Sequence, residues 1–220
     1  ENNTLIPIDK FGMKLMSFGF LNSGDDPAIW RGPMVSKLTN QFFDNVDWGE
    51  LDFLILDLPP GTGDIQLTLV QKIALTGAII ITTPQDLAHK DVQKGSDMFN
   101  KVKTPILGVI ENMSYYHLTG NINGCKDYKS IHVNIDDASD KIFIDSKGNF
   151  KVDIDIFKGK SGTDESKRLG IPLIGKIPLD PKISLLSDLG TPVVFNKSEV
   201  ESIKIFSEIS NRVIKLLANN

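Results

Sequence analysis

Short, nearly continuous apolar runs alternate with amphipathic stretches along this chain, the pattern of a parallel sheet covered by helices. Leu51 to Leu56 (LDFLIL), Ala78 to Thr82 (AIIIT) and Ile106 to Ile110 (ILGVI) predict central strands buried on both faces. Lys14 to Leu21 and Ile171 to Lys176 carry weaker versions of the same pattern. Met34 to Phe43, Asp64 to Leu75 with Asp64 as N-cap, and Asp91 to Val102 predict the helices between strands. From Glu199 to Leu217, Val200, Ile203, Phe206, Ile209, Val213 and Leu216 recur at spacings of three and four. That spacing predicts a helix with one apolar face laid on the sheet.

The rhythm breaks between His117 and Lys160. The first part of this stretch is polar, and the second alternates through Phe150, Val152, Ile154 and Ile156. It reads as an insert. Lys141 to Asp145 and Phe150 to Phe157, joined across Ser146-Lys147-Gly148-Asn149, predict a hairpin outside the main sheet. Acidic and basic side chains cancel in the insert, so charge gives it no ligand.

Composition narrows the function classes. At 220 residues, 40% hydrophobic and 24% charged, the chain is long enough for one large domain or two small ones, with a core in reach. The net charge of -4 provides no electrostatic footprint for nucleic acid or an anionic membrane. No apolar run approaches the ~20 residues of a transmembrane helix, and Glu1-Asn2-Asn3-Thr4 does not open a signal peptide. A soluble, cytoplasmic protein is expected. Cys125 is the one cysteine, so an intramolecular disulfide is excluded and a four-thiolate metal site would need ligands from another chain.

Candidate chemistry concentrates in the stretch from Leu51 to Asp64. An apolar strand ending in Asp57 puts a carboxylate at the carboxyl edge of the sheet, where open α/β folds bind ligands. This is a Walker B arrangement, in which the carboxylate holds Mg²⁺ through water. Gly61 and Gly63 leave backbone N–H groups open toward a terminal phosphate. Pro59-Pro60-Gly61 would also serve simply to end a strand, and Asp64 to cap a helix. His89 near a helix start reads as a solvated polar residue, and no G-x-S-x-G elbow presents Ser161 or Ser166 as a nucleophile. Trp30 and Arg31 are available to a partner, although Gly32-Pro33 also marks an ordinary helix start.

Six motifs occur here in the order found in Mrp-type proteins: Trp30-Arg31-Gly32-Pro33-Met34, Trp48-Gly49-Glu50-Leu51-Asp52, Asp57 to Asp64, Thr83-Pro84-Gln85, Glu111-Asn112-Met113-Ser114-Tyr115 and Ile177-Pro178-Leu179-Asp180-Pro181. The chain resembles these ATP-binding iron-sulfur cluster carriers, also called ApbC-like, of the MinD/ParA group of deviant P-loop ATPases. The resemblance covers about residues 5 to 116 and 157 to 217 and omits the insert. It implies a doubly wound, mostly parallel α/β sheet in a single P-loop NTPase-like domain over residues 1–220, and the β-hairpin read from the residues is an insert in it. It implies Asp57 as the Walker B carboxylate, Gly61 in the switch II loop that responds to the γ-phosphate, and Asn112 as a hydrogen-bond partner of adenine. Pro178, Leu179 and Asp180 would close over the other side of the base. ATP, Mg²⁺ and an iron-sulfur cluster are the implied ligands, with a homodimer and recipient iron-sulfur apoproteins as partners. An organellar matrix is the alternative compartment.

Two departures from the family stand out. No GKGGVGKS-like Walker A loop occurs, so the chain reads as an N-terminally truncated fragment, with ATP hydrolysis expected only if the full protein supplies that loop. Gly159-Lys160-Ser161 invites a Walker A reading, but the first glycine of the motif would fall at Ile154 and the order relative to Asp57 is reversed. The Cys-x-x-Cys pair that follows Glu-Asn-Met-Ser-Tyr in the family is also absent. A symmetric dimer then offers only two Cys125 thiolates, short of the four that a [4Fe-4S] cluster takes, with His117 and His132 as conceivable additional ligands. The expected function is an ATP-dependent cluster carrier, the alternative a MinD/ParA-like ATPase without a cluster that acts through a protein partner.

Overall fold

The computed structural model describes residues 4–20, 41–58, 64–124, 142, 144–196 and 201–218. They fall into two compact units, Glu1–Leu75 and Thr76–Asn220.

In the first unit, β1 (Ile8–Lys10) and β2 (Met13–Leu15) form an antiparallel hairpin. The turn between them places both Phe11 (φ 57°) and Gly12 (φ 71°) in the left-handed region, the backbone that a two-residue hairpin turn of matching twist requires. Of the strand pattern read from Lys14 to Leu21, Lys14 and Leu15 belong to this hairpin, Phe18–Phe20 is a 3-10 turn, and Leu21 lies outside the described residues. Leu5 pairs in parallel with Val46, through Leu5 N–H to Asn45 O at 2.7 Å and Asp47 N–H to Leu5 O at 2.9 Å. Trp48 ties the segment down by donating its indole N–H to Phe42 O at 2.9 Å. Helix α1 (Asp64–Lys72) takes Asp64, expected as its N-cap, as its first residue and stops before the expected Leu75.

Leu51 to Leu56 is not a strand. Phe53 is 55% exposed and Ile55 88%. A run of this kind is stable as a strand only when neighbours take its backbone hydrogen bonds and both faces are covered. Among the described residues no strand pairs with it.

The second unit holds the parallel sheet, in the order β3 (Ala78–Thr82), β4 (Ile106–Glu111), β7 (Leu173–Lys176). These strands match the apolar runs read from the sequence. Helix α2 (Asp86–Lys101) starts five residues before the predicted Asp91, because Asp86-Leu87-Ala88 continues the helix beyond its apolar stripe. Helix α3 is Ser161–Leu169, α4 is Pro181–Asp188 and α5 is Glu201–Ala218.

Successive residues of a strand face opposite ways, and β4 shows what each face meets. Ile110 packs with Ile174, Ile177 and Ile209 of α5, flanked by Ile205, Phe206, Val213 and Leu216. The adjacent Glu111 instead touches Gly162 of α3. Helices thus cover both faces of the sheet, as in a doubly wound α/β fold. Full burial of Ile174 and its neighbours contributes ~1.5–3 kcal/mol per side chain.

The insert does contain a hairpin outside the main sheet, but with a different first strand. β5 (Tyr116–Asn121) pairs antiparallel with β6 (Asn149–Ile154), with Leu118 opposite Val152 and Gly120 opposite Phe150. Among the described residues of the segment expected from Lys141 to Asp145, Ile144 reaches Phe150 through an isolated bridge. Two features hid β5 in the sequence: its polar His117, Thr119 and Asn121, and the Gly120 that gives up side-chain packing to admit the Phe150 ring.

Helices α2 and α3 meet around a buried carboxylate. Glu165 is fully buried and accepts from Arg168 Nε and Nη2, each at 2.8 Å, from Ser96 Oγ, and from His89 Nε2 at 3.3 Å. Arg168 also reaches Asp97 at 3.0 Å. Burial pushes the Glu165 carboxyl up, but hydrogen bonds from Arg168 and Ser96 and the guanidinium charge outweigh it and hold it below its usual range. The same hydrogen bond with Glu165 drives the Arg168 pKa upward.

A carboxyl that ionises more readily folded than unfolded favours folding through its charged form. The contribution is complete above the ordinary value of 4.5 and is lost as pH falls through the lower, folded value. Amide hydrogen exchange in α2 and α3 should therefore accelerate as pH is lowered from 5 to 3, after correction for intrinsic exchange. Glu165→Gln should start faster and depend less on pH. Equal pH slopes in the two proteins would contradict the assignment.

Candidate nucleotide-base site

The carboxyl ends of the three parallel strands finish level, with Thr82 paired to Glu111 and Glu111 to Lys176. Past this line the chain goes on pairing. Asn112 N–H donates to Thr82 O at 2.7 Å and Ile177 N–H to Glu111 O at 2.8 Å. Ser114 N–H then donates to Ile177 O at 2.9 Å, and Leu179 N–H to Tyr115 O at 2.7 Å. The loops carrying Asn112 and Pro178-Leu179-Asp180, far apart in sequence, are thereby joined side by side at the edge where open α/β folds bind ligands.

Asn112 is half-buried, and its Oδ1 accepts from Met113 N–H at 3.0 Å. This bond fixes the amide plane and leaves Nδ2 as a donor and a second lone pair on Oδ1 as an acceptor. Such an edge matches the donor and acceptor pair that adenine presents at N6 and N7. Met113 sits at φ 54°, a left-handed backbone for a residue with a long side chain. Outliers of this kind persist where surrounding structure holds them, often at ligand sites.

The other three candidates differ in what they can do. Pro178 is buried and shapes the loop, while Leu179 is 38% exposed and offers an apolar surface. Asp180 is committed to structure: Oδ1 caps α4 by accepting Lys182 N–H at 2.9 Å, and Oδ2 accepts Ser202 Oγ–H at 2.6 Å. It anchors the loop to α4 and α5.

The N-terminus of α3 is closed to phosphate, which disposes of the Walker A reading of Gly159-Lys160-Ser161. Gly162 N–H already donates to Glu111 Oε2 at 3.1 Å, and Ser161 Oγ lies 2.9 Å from Thr82 Oγ1. A Cβ at Gly159 would come within 2.0 Å of Pro84 O, so this glycine serves a close approach of backbone to backbone.

Asp57 is exposed and belongs to the first unit, whereas Asn112, Pro178, Leu179 and Asp180 belong to the second. Gly61, Cys125, His132, Trp30 and Arg31 lie outside the described residues. His117 is held between carboxylates, with Nδ1 on Asp153 and Nε2 3.3 Å from Glu201 Oε1. The Lys151 ammonium, 2.7 Å from Glu201, is the main cause that lowers the Glu201 carboxyl. Among the described residues no three His, Cys, Asp or Glu side chains converge as a metal site.

Sequence reasoning missed Glu111. It is 2% exposed and accepts from Ser114 Oγ, Gly162 N and Lys176 Nζ. The available signal was an acid closing the otherwise apolar run ILGVIE.

Comparison with known proteins identifies the family. The ParA model described as NUBPL iron-transfer P-loop NTPase matches residues 1–138 and 141–214. The iron-sulfur cluster transfer protein NUBPL of Dictyostelium discoideum is 40% identical over 99% of this chain and 58% of its own length. The iron-sulfur cluster carrier protein of Aquifex aeolicus is 41% identical over 94% of this chain and 49% of its own. The chain thus spans about half the length of these relatives. A nucleotide-binding protein of Archaeoglobus fulgidus, solved in complex with ADP, superposes with a TM-score of 0.58 at 30% identity, over 86% of this chain and 63% of that one. A level parallel sheet covered on both faces, an asparagine loop at its carboxyl edge and a family match over nearly the whole chain place it in the ParA/NUBPL iron-transfer family of P-loop NTPases.

Proposed function

We propose that this chain is the nucleotide-binding part of an iron-sulfur cluster carrier, in which the nucleotide state of a homodimer governs delivery of the cluster to recipient apoproteins. The observation that carries the nucleotide reading is the backbone pairing of the 112–115 and 177–180 loops beside the Asn112 amide. Asn112 would read the adenine edge, Leu179 would cover one face of the base, and Asp180 would hold that loop at the start of α4. Asp57 and Gly61 are assigned to phosphate recognition, and the chain to a P-loop NTPase-like domain that carries the insert at 117–160. Relatives named as cluster transfer or carrier proteins support the cargo.

Mg²⁺ keeps most of its waters and takes one or two protein carboxylates, so a single exposed Asp57 suits it without a preformed cage. Bound there, Mg²⁺ would neutralise phosphate charge. Cys125 is assigned to the cluster as cargo. No described helix is long and apolar enough to cross a membrane, and the proposed compartment is the cytoplasm or an organelle matrix.

The base and phosphate assignments are separable by kinetics in the full-length protein. Asn112→Ala should raise the KM for ATP about tenfold, the equivalent of one good adenine contact, with turnover at saturation retained. Asp57→Ala should reduce Mg²⁺-dependent turnover by at least about 100-fold with an unchanged circular dichroism spectrum. Unchanged kinetics in either variant would reject that residue's role.

The cargo assignment is read by anaerobic reconstitution with iron and sulfide. Equal iron and sulfide, about four of each per dimer, lost in Cys125→Ser and readily stripped by a chelator, is the expected result. A chelator-resistant cluster that survives Cys125→Ser would contradict it, and no cluster in the unaltered protein would favour a partner-binding ATPase.

A further inference from the structure

We infer that Glu111 is a positioning residue for base recognition: its buried carboxylate clamps the strained turn that presents Asn112. The inference rests on the assignment of Asn112 to the adenine edge and goes beyond it, by naming what holds that amide in place.

Glu111 ends β4 next to Asn112 and is almost wholly buried, at 2% exposure. A carboxylate at the end of an apolar strand is costly to desolvate and persists only when its oxygens are satisfied. Here three donors from three elements meet it. Ser114 Oγ–H lies 3.1 Å from Oε1, Lys176 Nζ of β7 3.0 Å from Oε1, and Gly162 N–H of α3 3.1 Å from Oε2. Ser114 Oγ is also 2.8 Å from the backbone oxygen of Glu111, so one hydroxyl is held at both ends of the same residue.

The consequence falls on the residues between. Asn112 and Met113 are bridged by a Glu111–Ser114 clasp, and Met113 within it carries φ 54°. A turn strained in this way relaxes when its restraint is removed. Because Met113 N–H donates to Asn112 Oδ1, relaxation of Met113 turns the Asn112 amide. The clamp also admits only a small partner, since a Cβ on Gly162 would lie 2.7 Å from Glu111 Oε2. Glutamine is a poor substitute: its one oxygen accepts, but its NH₂ would face the Gly162 N–H or the Lys176 ammonium, both donors.

The test is equilibrium binding of ADP and GDP to the full-length protein, with Asn112→Ala, Glu111→Gln and the double variant. Glu111→Gln should weaken ADP about tenfold and GDP less than twofold. Introduced on top of Asn112→Ala, it should weaken ADP by less than twofold further, because both changes remove the same recognition. A merely structural role would lower the melting temperature and weaken ADP and GDP alike. That result, or unchanged ADP binding in Glu111→Gln while Asn112→Ala is selectively impaired, would overturn the positioning role and leave the base site standing. Unchanged ADP binding in Asn112→Ala would overturn the base site and this inference with it. If Glu111→Gln does not fold, Ser114→Ala removes a single donor from the same clamp. It should weaken ADP about threefold with GDP unaffected, and unaltered ADP binding there would equally reject the inference.

Discussion

The structure of the second unit depends on three parallel strands ending level, at Thr82, Glu111 and Lys176, with a buried carboxylate at the middle one. Because the ends are level, Asn112 and Ile177 leave the sheet already paired, and their loops continue as neighbours to Ser114 and Leu179. Because the central residue is acidic, the position demands donors from every element around it. Lys176 comes from β7, Ser114 from the following loop and Gly162 from α3. A hydrophobic residue at the same place would pack but would specify none of these neighbours.

Helix α3 shows how far that logic extends. Its sequence, SGTDESKRL, has one large apolar residue in nine, yet Ser161, Gly162 and Glu165 are buried. Apolar burial cannot seat such a helix. Instead its first turn is held by Thr82 and Glu111, and its second by the Glu165 contacts with Ser96 and His89. Polar networks that are fully satisfied fix one arrangement rather than a family of similar packings. Helix α3 is therefore positioned by hydrogen bonds, and the α5 side of the sheet by Ile110, Ile174, Ile177 and Ile209.

Much of this was legible in the chain and part was not. Strands β3, β4 and β7 and the long helix α5 announce themselves because their burial follows from local apolar pattern alone. Leu51 to Leu56 has the same pattern without the same outcome, since a strand also needs a partner for its backbone and pattern does not supply one. β5 failed in the reverse sense, a strand written in polar residues whose stability comes from β6. At the site, Asn112 and Pro178-Leu179-Asp180 were marked by the order of motifs, but their pairing is a product of register between distant strands. Asp180 looked like a ligand contact and proved to have both oxygens bound within the protein. Glu111 was visible as a lone acid in an apolar run, and its burial was not, because that depends on Lys176 and Gly162 arriving from elsewhere.

The central claim is that adenine is read at the Asn112 amide, beside Leu179. The most direct test is a nitrogen-15 proton correlation spectrum of the full-length protein titrated with ADP and, separately, with GDP. The account predicts that ADP moves the Asn112 side-chain Nδ2 resonances together with the Leu179 backbone amide, and that GDP at equal occupancy moves them much less. ADP binding that leaves the Asn112 side-chain resonances in place would contradict it.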